Sequence, residues 1–426
     1  MYKHIINVGL ALNLFLVLNI KVKAQEEIRE LTWPECVAEL KQNNTDLKIT
    51  KIRWEESKLD FSQAQRKLWP SINSSVGARA SRGPNSVSSG YTYSLSLEQS
   101  VSFDKGEFSF NLDQAKTDLQ LAEMDFNWSK DDLLLSLKKS FISLLGQQKN
   151  HELLIELLAE NEKDLKLVEL RYKVGRENRG VFLQTQAQHE RDKQRIKTSK
   201  YQLFLAKRAF SQMLGRENFQ DFKLKGEIEF NPEKYKKMVK PDIKEIIENH
   251  PSWKKKKIQT EKARRNLYKS KAAFYPSVSA VAGYSDNDWP PDKDKWSISI
   301  NLSLPLYQNG ERFIALKKAK NSLIIAEIDE KKFYEQLFVD ILNAWHNFEN
   351  ALIDVEIEKK YLIAMQEREK IAKYKYTAGI ITFSEWEEIK EEAESKEQAF
   401  LDIQTNVIRA ELDWKKAQGG KFFEEE

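Results

Sequence analysis

The chain has 426 residues but only 15 glycines and 10 prolines, each about half the usual share, so turns are scarce and long helices are implied. Charged residues make up 31% and hydrophobic ones 41%, a balance that suits elongated helices with polar faces and excludes the thick core of a compact α/β enzyme. Formal net charge is +4, yet without Lys3, Lys21 and Lys23 of the leader described next, 66 basic residues face 65 acidic ones. No basic stripe is left to neutralise a nucleic-acid backbone. A single cysteine, Cys36, excludes a disulfide within the chain and a cysteine-cluster zinc site.

Residues Met1 to Gln25 open with Lys3 and His4, continue as an apolar run from Val8 to Ile20 and end in Val22-Lys23-Ala24-Gln25. This is the pattern of a secretory signal peptide, predicted as 1–24 with cleavage after Ala24. The run is shorter than the roughly 20 apolar residues a membrane anchor needs. Cys36 follows Trp33-Pro34-Glu35 rather than a leucine-rich signal, so it does not read as a lipidated N-terminus.

The remainder is one unit written twice. Trp69-Pro70-Ser71-Ile72-Asn73 returns as Tyr275-Pro276-Ser277-Val278-Ser279, and Phe103-Asp104-Lys105-Gly106-Glu107 as Tyr307-Gln308-Asn309-Gly310-Glu311. Arg171-Tyr172-Lys173-Val174-Gly175 returns as Lys375-Tyr376-Thr377-Ala378-Gly379, and Leu214-Gly215 as Gln418-Gly419. The separations are 204 to 206 residues throughout. The expected organisation is a first repeat at 25–215, a connector at 216–241, a second repeat at 242–420 and a tail at 421–426. Each repeat should run helix, β-hairpin (about 69–103 and about 275–307), long helix, tip (near 175 and near 379), helix. In the long segment Leu119, Phe126 and Leu133 are seven apart, as are Leu158, Leu165 and Tyr172, with Leu154 and Val168 on the alternate seam, which is coiled-coil spacing. One helix from Glu107 to Tyr172 would be on the order of 100 Å long. The heptads alone suit a soluble bundle equally well.

The strands argue for a membrane. From Tyr91 to Phe103 one parity reads Tyr91, Tyr93, Leu95, Leu97, Gln99, Val101, Phe103 and the other is serine-rich. The second copy sets Trp296, Ile298, Ile300, Leu302, Leu304 and Leu306 against Ser297, Ser299, Asn301, Ser303 and Pro305. Alternation over ten residues fits a strand that crosses a bilayer with its apolar side to lipid. A half-buried sheet in a soluble protein shows the same alternation, but an exported, duplicated chain with no apolar helix favours lipid. Breaker-rich loops are expected at Arg79 to Gly90 and Ser285 to Lys295. One chain supplies four strands, whose open edges lipid cannot satisfy, so the barrel must be shared. Eight strands from a dimer would be filled by side chains; twelve from a trimer leave a lumen, and the trimer is the expected state.

These features together resemble the TolC-like outer-membrane efflux proteins. The resemblance covers nearly all of the chain after the leader and rests on the duplicated element order, on Tyr275-Pro276-Ser277, on Leu304-Pro305-Leu306-Tyr307-Gln308-Asn309-Gly310, and on the tip motifs ending in Gly175 and Gly379. It implies an α+β membrane protein, a trimeric channel-tunnel with a shared 12-stranded transmembrane β-barrel and a long periplasmic α-helical barrel of coiled-coil hairpins. Its partners would be two further copies, outer-membrane lipid, a periplasmic adaptor protein met by the tips (Val174, Gly175, Ala378, Gly379) and an inner-membrane transporter. The family's acidic constriction lies six and nine residues past the second tip glycine, which carries over to Glu385 and Glu388, with Glu387 between them. Acidic neighbours up to Glu394 also read as a solvated helix face. Tyr376 matches a gate position, whereas Ile381 stands where the family can place an arginine and Val181 where an acidic partner could sit. The function implied is the passive exit duct of a tripartite efflux or type I secretion system.

A trimeric adhesin or a purely periplasmic coiled-coil structural protein are the alternatives. An adhesin would gather its strands at the C-terminus, and a periplasmic protein needs no lipid-facing strand. An enzyme lacks parts: there is no glycine-rich phosphate loop, nucleophile elbow or histidine pair at ligand spacing, and no cofactor or metal is expected.

Overall fold

The computed structural model describes residues 29–67, 69, 71–84, 87–98, 107–228, 230, 235, 241–286, 296–304, 306–307 and 309–420, with backbone alone at 81, 87–89, 91–98, 107–109, 277 and 279–286. The signal peptide predicted at 1–24, the strand end at Phe103, loop residues 287–295, most of 229–240 and the tail at 421–426 lie outside these. In order the elements are β1 (Arg29–Leu31), α1 (Trp33–Asn43), α2 (Thr45–Arg66), β2 (Ser71–Arg82), β3 (Val87–Glu98), α3 (Glu107–Lys173) and α4 (Arg179–Met213). There follow β4 (Phe222–Leu224), α5 (Ile243–Asn249), α6 (Pro251–Ala272), β5 (Ser277–Asp286), β6 (Trp296–Ser303), α7 (Glu311–Thr377) and α8 (Phe383–Ala417).

Helix lengths recur: α2 and α6 have 22 residues each, α3 and α7 have 67, and α4 and α8 have 35. Their boundaries are chemical. Asn44 and His250 occupy the same N-cap position before α2 and α6, each accepting a backbone N–H from the first turn. Helices α3, α4, α7 and α8 all stop at a glycine in the left-handed region, Gly175, Gly215, Gly379 and Gly419, with φ between 74 and 79°.

The four longer strands form one antiparallel sheet in the order β2-β3-β5-β6. Strands β2 and β3 pair from Ser71↔Glu98 to Arg82↔Val87, so regular pairing runs through the segment expected to be a loop at Arg79 to Gly90 and leaves only 83–86 as the connection. Small residues such as Ala80, Ser88 and Ser89 bring no bulk that would prevent extended backbone there. Strand β5 joins β3 at Tyr93↔Asp286 to Leu95↔Tyr284 and β6 at Ser277↔Ser303 to Tyr284↔Trp296. On β6 the apolar row Trp296, Ile298, Ile300 and Leu302 is 66 to 74% exposed, and every residue of the opposite parity is exposed as well. Among the described residues no helix is long and apolar enough to cross a membrane.

The chain divides into two compact units. The first comprises the described residues up to Gln42 with Ser143–Ile228. Here β1 lies parallel to β4, Arg29↔Phe222 to Leu31↔Leu224, a ribbon that the sequence pattern did not announce. Gln148, 4% exposed, takes the place of a further strand: its amide oxygen accepts the Leu224 N–H at 3.0 Å and its amide nitrogen donates to the Leu224 carbonyl at 3.3 Å. Leu31, Cys36, Leu40, Phe210, Leu214 and Phe222 are fully buried, and burial pushes the Cys36 thiol up to about 12. Arg216 grips Glu39 through two guanidinium nitrogens, one at 2.7 Å.

The second unit comprises Asn43–Ile142 and the described residues from 230 to 420. Its core packs Ile243, Ile247 and Trp253 against Leu337, Ile341, Trp345 and Phe348 of α7 and Val407 and Trp414 of α8. The end of α8 abuts the start of α6, where a Cβ on Gly419 would lie 2.7 Å from the Pro251 ring. His250 is 3% exposed at this joint; burial holds its pKa below the usual value, and its Nδ1 accepts the Ser252 N–H at 3.2 Å.

Candidate functional site

The two helix reversals carry nearly all of the residues that the sequence singles out. At the second, α7 closes with a paired motif: the Gly379 N–H donates to the Tyr376 carbonyl at 3.0 Å and the Ile380 N–H to the Lys375 carbonyl at 2.9 Å. The first repeats it, Gly175 to Tyr172 at 3.0 Å and Arg176 to Arg171 at 2.8 Å. Both glycines have open space where a Cβ would be, so it is their positive φ, and not crowding, that requires glycine. Val174, Gly175, Ala378 and Gly379 are all exposed. Two apolar side chains that sequence reasoning missed stand out beside them, Ile380 at 68% and Tyr374 at 73% exposure. Hydrophobic residues at a turn that cannot be buried by the helix pair were the available signal.

Tyr376 is not at the surface. It is 1% exposed and stacks on Trp386 with centroids 4.7 Å apart, while Phe383 meets both rings edge-on at 5.9 Å. Lys390 lies over the Trp386 ring at 5.3 Å. The ring of Tyr376 therefore braces the reversal from within its own chain.

Glu385 and Glu388 are both exposed on the first turns of α8. The Glu385 carboxylate accepts the Thr382 N–H at 2.8 Å and its hydroxyl at 2.9 Å, while the Glu385 N–H donates back to that hydroxyl at 3.3 Å. This is a reciprocal capping box. The Thr382 backbone N–H, then its hydroxyl, hold the Glu385 carboxyl below the ordinary range. The spelling Thr382-x-x-Glu385 is itself the sequence signal for this role. Glu388 has no hydrogen-bond or ion-pair partner among the described residues. One turn on, Glu392 pairs with Arg368 across the hairpin at 3.2 Å. Ile381 is half-buried, and Val181 sits in the first reversal where Glu385 sits in the second, with its N–H bonded to Asn178 Oδ1 at 2.9 Å. Among the described residues no three His, Cys, Asp or Glu side chains are grouped to hold a metal ion.

The sequence pattern of the outer membrane efflux proteins matches residues 36–216 and 243–420, which is most of the chain. The chain belongs to the outer membrane efflux protein family. This efflux protein is 21% identical over 399 residues to a probable outer membrane lipoprotein of Salmonella typhimurium, SilC, covering 91% of this chain and 86% of SilC. It is 22% identical over 340 residues to the outer membrane protein TolC of Vibrio cholerae, covering 75% of this chain and 76% of that one. In three dimensions it matches the open state of the Neisseria gonorrhoeae MtrE outer membrane channel with a TM-score of 0.78 at 17% identity, over 91% of this chain and 89% of the channel, a likeness of fold. The efflux protein is thus a TolC-like protein of the outer membrane.

Proposed function

We propose that this chain is one third of a trimeric exit duct, with a 12-stranded barrel in the outer membrane and helices reaching into the periplasm. The observation that carries the reading is the sheet β2-β3-β5-β6. Its β6 presents an apolar row on one face and serines and Asn301 on the other, with all eight residues exposed, and its outer strands have no further strand partner among the described residues. A sheet inside a soluble protein would bury one face; a barrel wall between lipid and water buries neither within a single chain. Three copies satisfy the two open edges and leave a lumen. In this reading the exposed tips around Val174, Gly175, Ala378 and Gly379 meet a periplasmic adaptor bound to an inner-membrane pump, and transport through the duct is passive. Glu385 and Glu388, three apart on one helix face, ring the periplasmic opening and favour cations. Tyr376 acts on the gate by holding the reversal rigid.

The test is the mass of the complex extracted from outer membranes in detergent, with arginine scanned across β6. A trimer is expected. Ile300→Arg should cost about 2 to 4 kcal/mol of barrel stability and Ser299→Arg much less. In bilayer recordings the double change Glu385→Ala with Glu388→Ala should lower the cation preference. A monomer, or equal effects at Ile300 and Ser299, would overturn the barrel.

A further inference from the structure

In the second unit α3 is met along one face by two helices in turn. Beyond the joint at Gly419, Lys255, Lys262 and Lys269 of α6 pair with Asp125, Asp118 and Asn111, the last at 2.9 Å. Before it, Lys416 and Asp413 of α8 pair with Asp132 and Lys139. The α3 positions 111, 118, 125, 132 and 139 are seven apart, so one face of α3 carries a continuous ladder and receives α8 and α6 as one helix in two pieces.

His250 sits at the break and serves both pieces. Its Nδ1 accepts the Ser252 N–H at 3.2 Å and so caps α6, while its ring also hydrogen-bonds to the Lys416 backbone of α8. Trp128 of α3, between the rungs at 125 and 132, lies against it with centroids 5.7 Å apart. A neutral imidazole offers one acceptor and one donor, and both are in use. The corresponding cap in the first repeat is Asn44, whose Oδ1 accepts the Leu47 N–H at 2.9 Å. An amide does not titrate, whereas an imidazole does so near neutral pH.

We infer that His250 is an acid-released coupling between α8 and α6, engaged while the ring is neutral and undone when Nδ1 takes up a proton. A protonated Nδ1 is a donor, and it would face the Ser252 N–H, a second donor, so the cap is lost. The new charge would also lie on a ring that is 3% exposed. Acidic groups on the elements that meet at the joint are already paired: Asp125 with Lys255, Asp132 with Lys416, Asp413 with Lys139, Glu411 with Lys415 at 3.2 Å, Glu248 with Lys257 at 2.8 Å and Asp329 with Lys256 at 3.9 Å. Burial, opposed only by the bond to the Lys416 backbone, holds the ring below its ordinary 6.5. The coupling is therefore complete above that value and is lost as pH falls through the lowered one. A cleft of about 360 Å³ borders Trp128, Pro251 and Ser252 and gives water a route to the joint. Since α8 starts at the second reversal and α6 leads into β5, release loosens the link between that tip and the sheet. Every residue involved belongs to one chain, so the inference does not depend on the trimer.

Amide hydrogen exchange of the full-length protein in detergent, followed from about pH 7.5 to about pH 5 and corrected for the intrinsic pH dependence of exchange, tests this. The window lies between the ordinary histidine and carboxylate values, so the ladder stays ionised. Protection at residues 252–256 should fall roughly ten-fold across it, while protection at 46–50, behind Asn44, stays constant. His250→Asn, which keeps a cap and removes the titration, should hold 252–256 constant as well. Constant protection at 252–256 in the unaltered protein overturns the coupling whatever the variant does. An equal fall at 46–50, or in His250→Asn, also overturns it, because acid would then be loosening the fold without the imidazole.

Discussion

The two reversals share a backbone and differ in what supports it. At the first, Tyr172 stacks on Phe182 at 5.4 Å but stays 37% exposed, and α4 starts from a one-way cap, Asn178 to Val181. At the second, Phe383 in place of Arg179 closes the stack and buries Tyr376, and Glu385 in place of Val181 makes the cap reciprocal. One chain thus carries a lightly held tip and a braced one. The left-handed glycine sets the path of the turn in both cases, and the side chains after it set how stiffly the path is kept.

The largest effect should come from removing the brace. Tyr376→Ala deletes a fully buried ring and should cost about 3 kcal/mol or more locally, and Tyr172→Ala, a ring already partly in water, clearly less. Hydrogen exchange of residues 370–390 against 166–186 reads the two losses separately. A smaller change should bring the tips together from the other side. Val181→Glu gives α4 an acid at the third helical position, which should slow exchange at the first tip by about 0.5 kcal/mol, whereas Thr382→Ala should loosen the second by about 1 kcal/mol. The smallest effect is one of pH. Because the Glu385 carboxyl is held below its ordinary value of 4.5, its contribution is complete above that value and is lost as pH falls through the lowered one. The second tip should therefore open relative to the first in acid, and Glu385→Gln should abolish the difference.

How much of this was readable beforehand follows the range of each interaction. Heptads such as Leu119, Phe126 and Leu133, and the glycines that end the helices, are local signals, and they placed α3, α7 and both tips. The capping box at Thr382 and Glu385 is equally local, although the spacing of Glu385 and Glu388, six and nine residues past Gly379, reads first as a constriction. The stack of Tyr376 on Trp386 crosses a turn, so no helical period exposes it. The α3–α6 ladder joins residues more than 100 apart: the spacing of Asp118 and Asp125 is visible in the sequence, but nothing there says which lysines answer them. The ribbon of β1 and β4 was missed because strands of three residues carry too few side chains to alternate.

That ribbon also imposes an order of events. Arg29 to Leu31 pair with Phe222 to Leu224, the Leu31 carbonyl accepts the Lys225 N–H at 2.9 Å, and Gln148 completes the arrangement from a third place in the chain. A contact with so long an intervening loop closes late, because chain entropy must be paid across the whole loop first. During export the segment Arg29–Leu31 therefore waits for its partner strand until residue 225 has emerged, and the first unit cannot finish folding before the connector arrives.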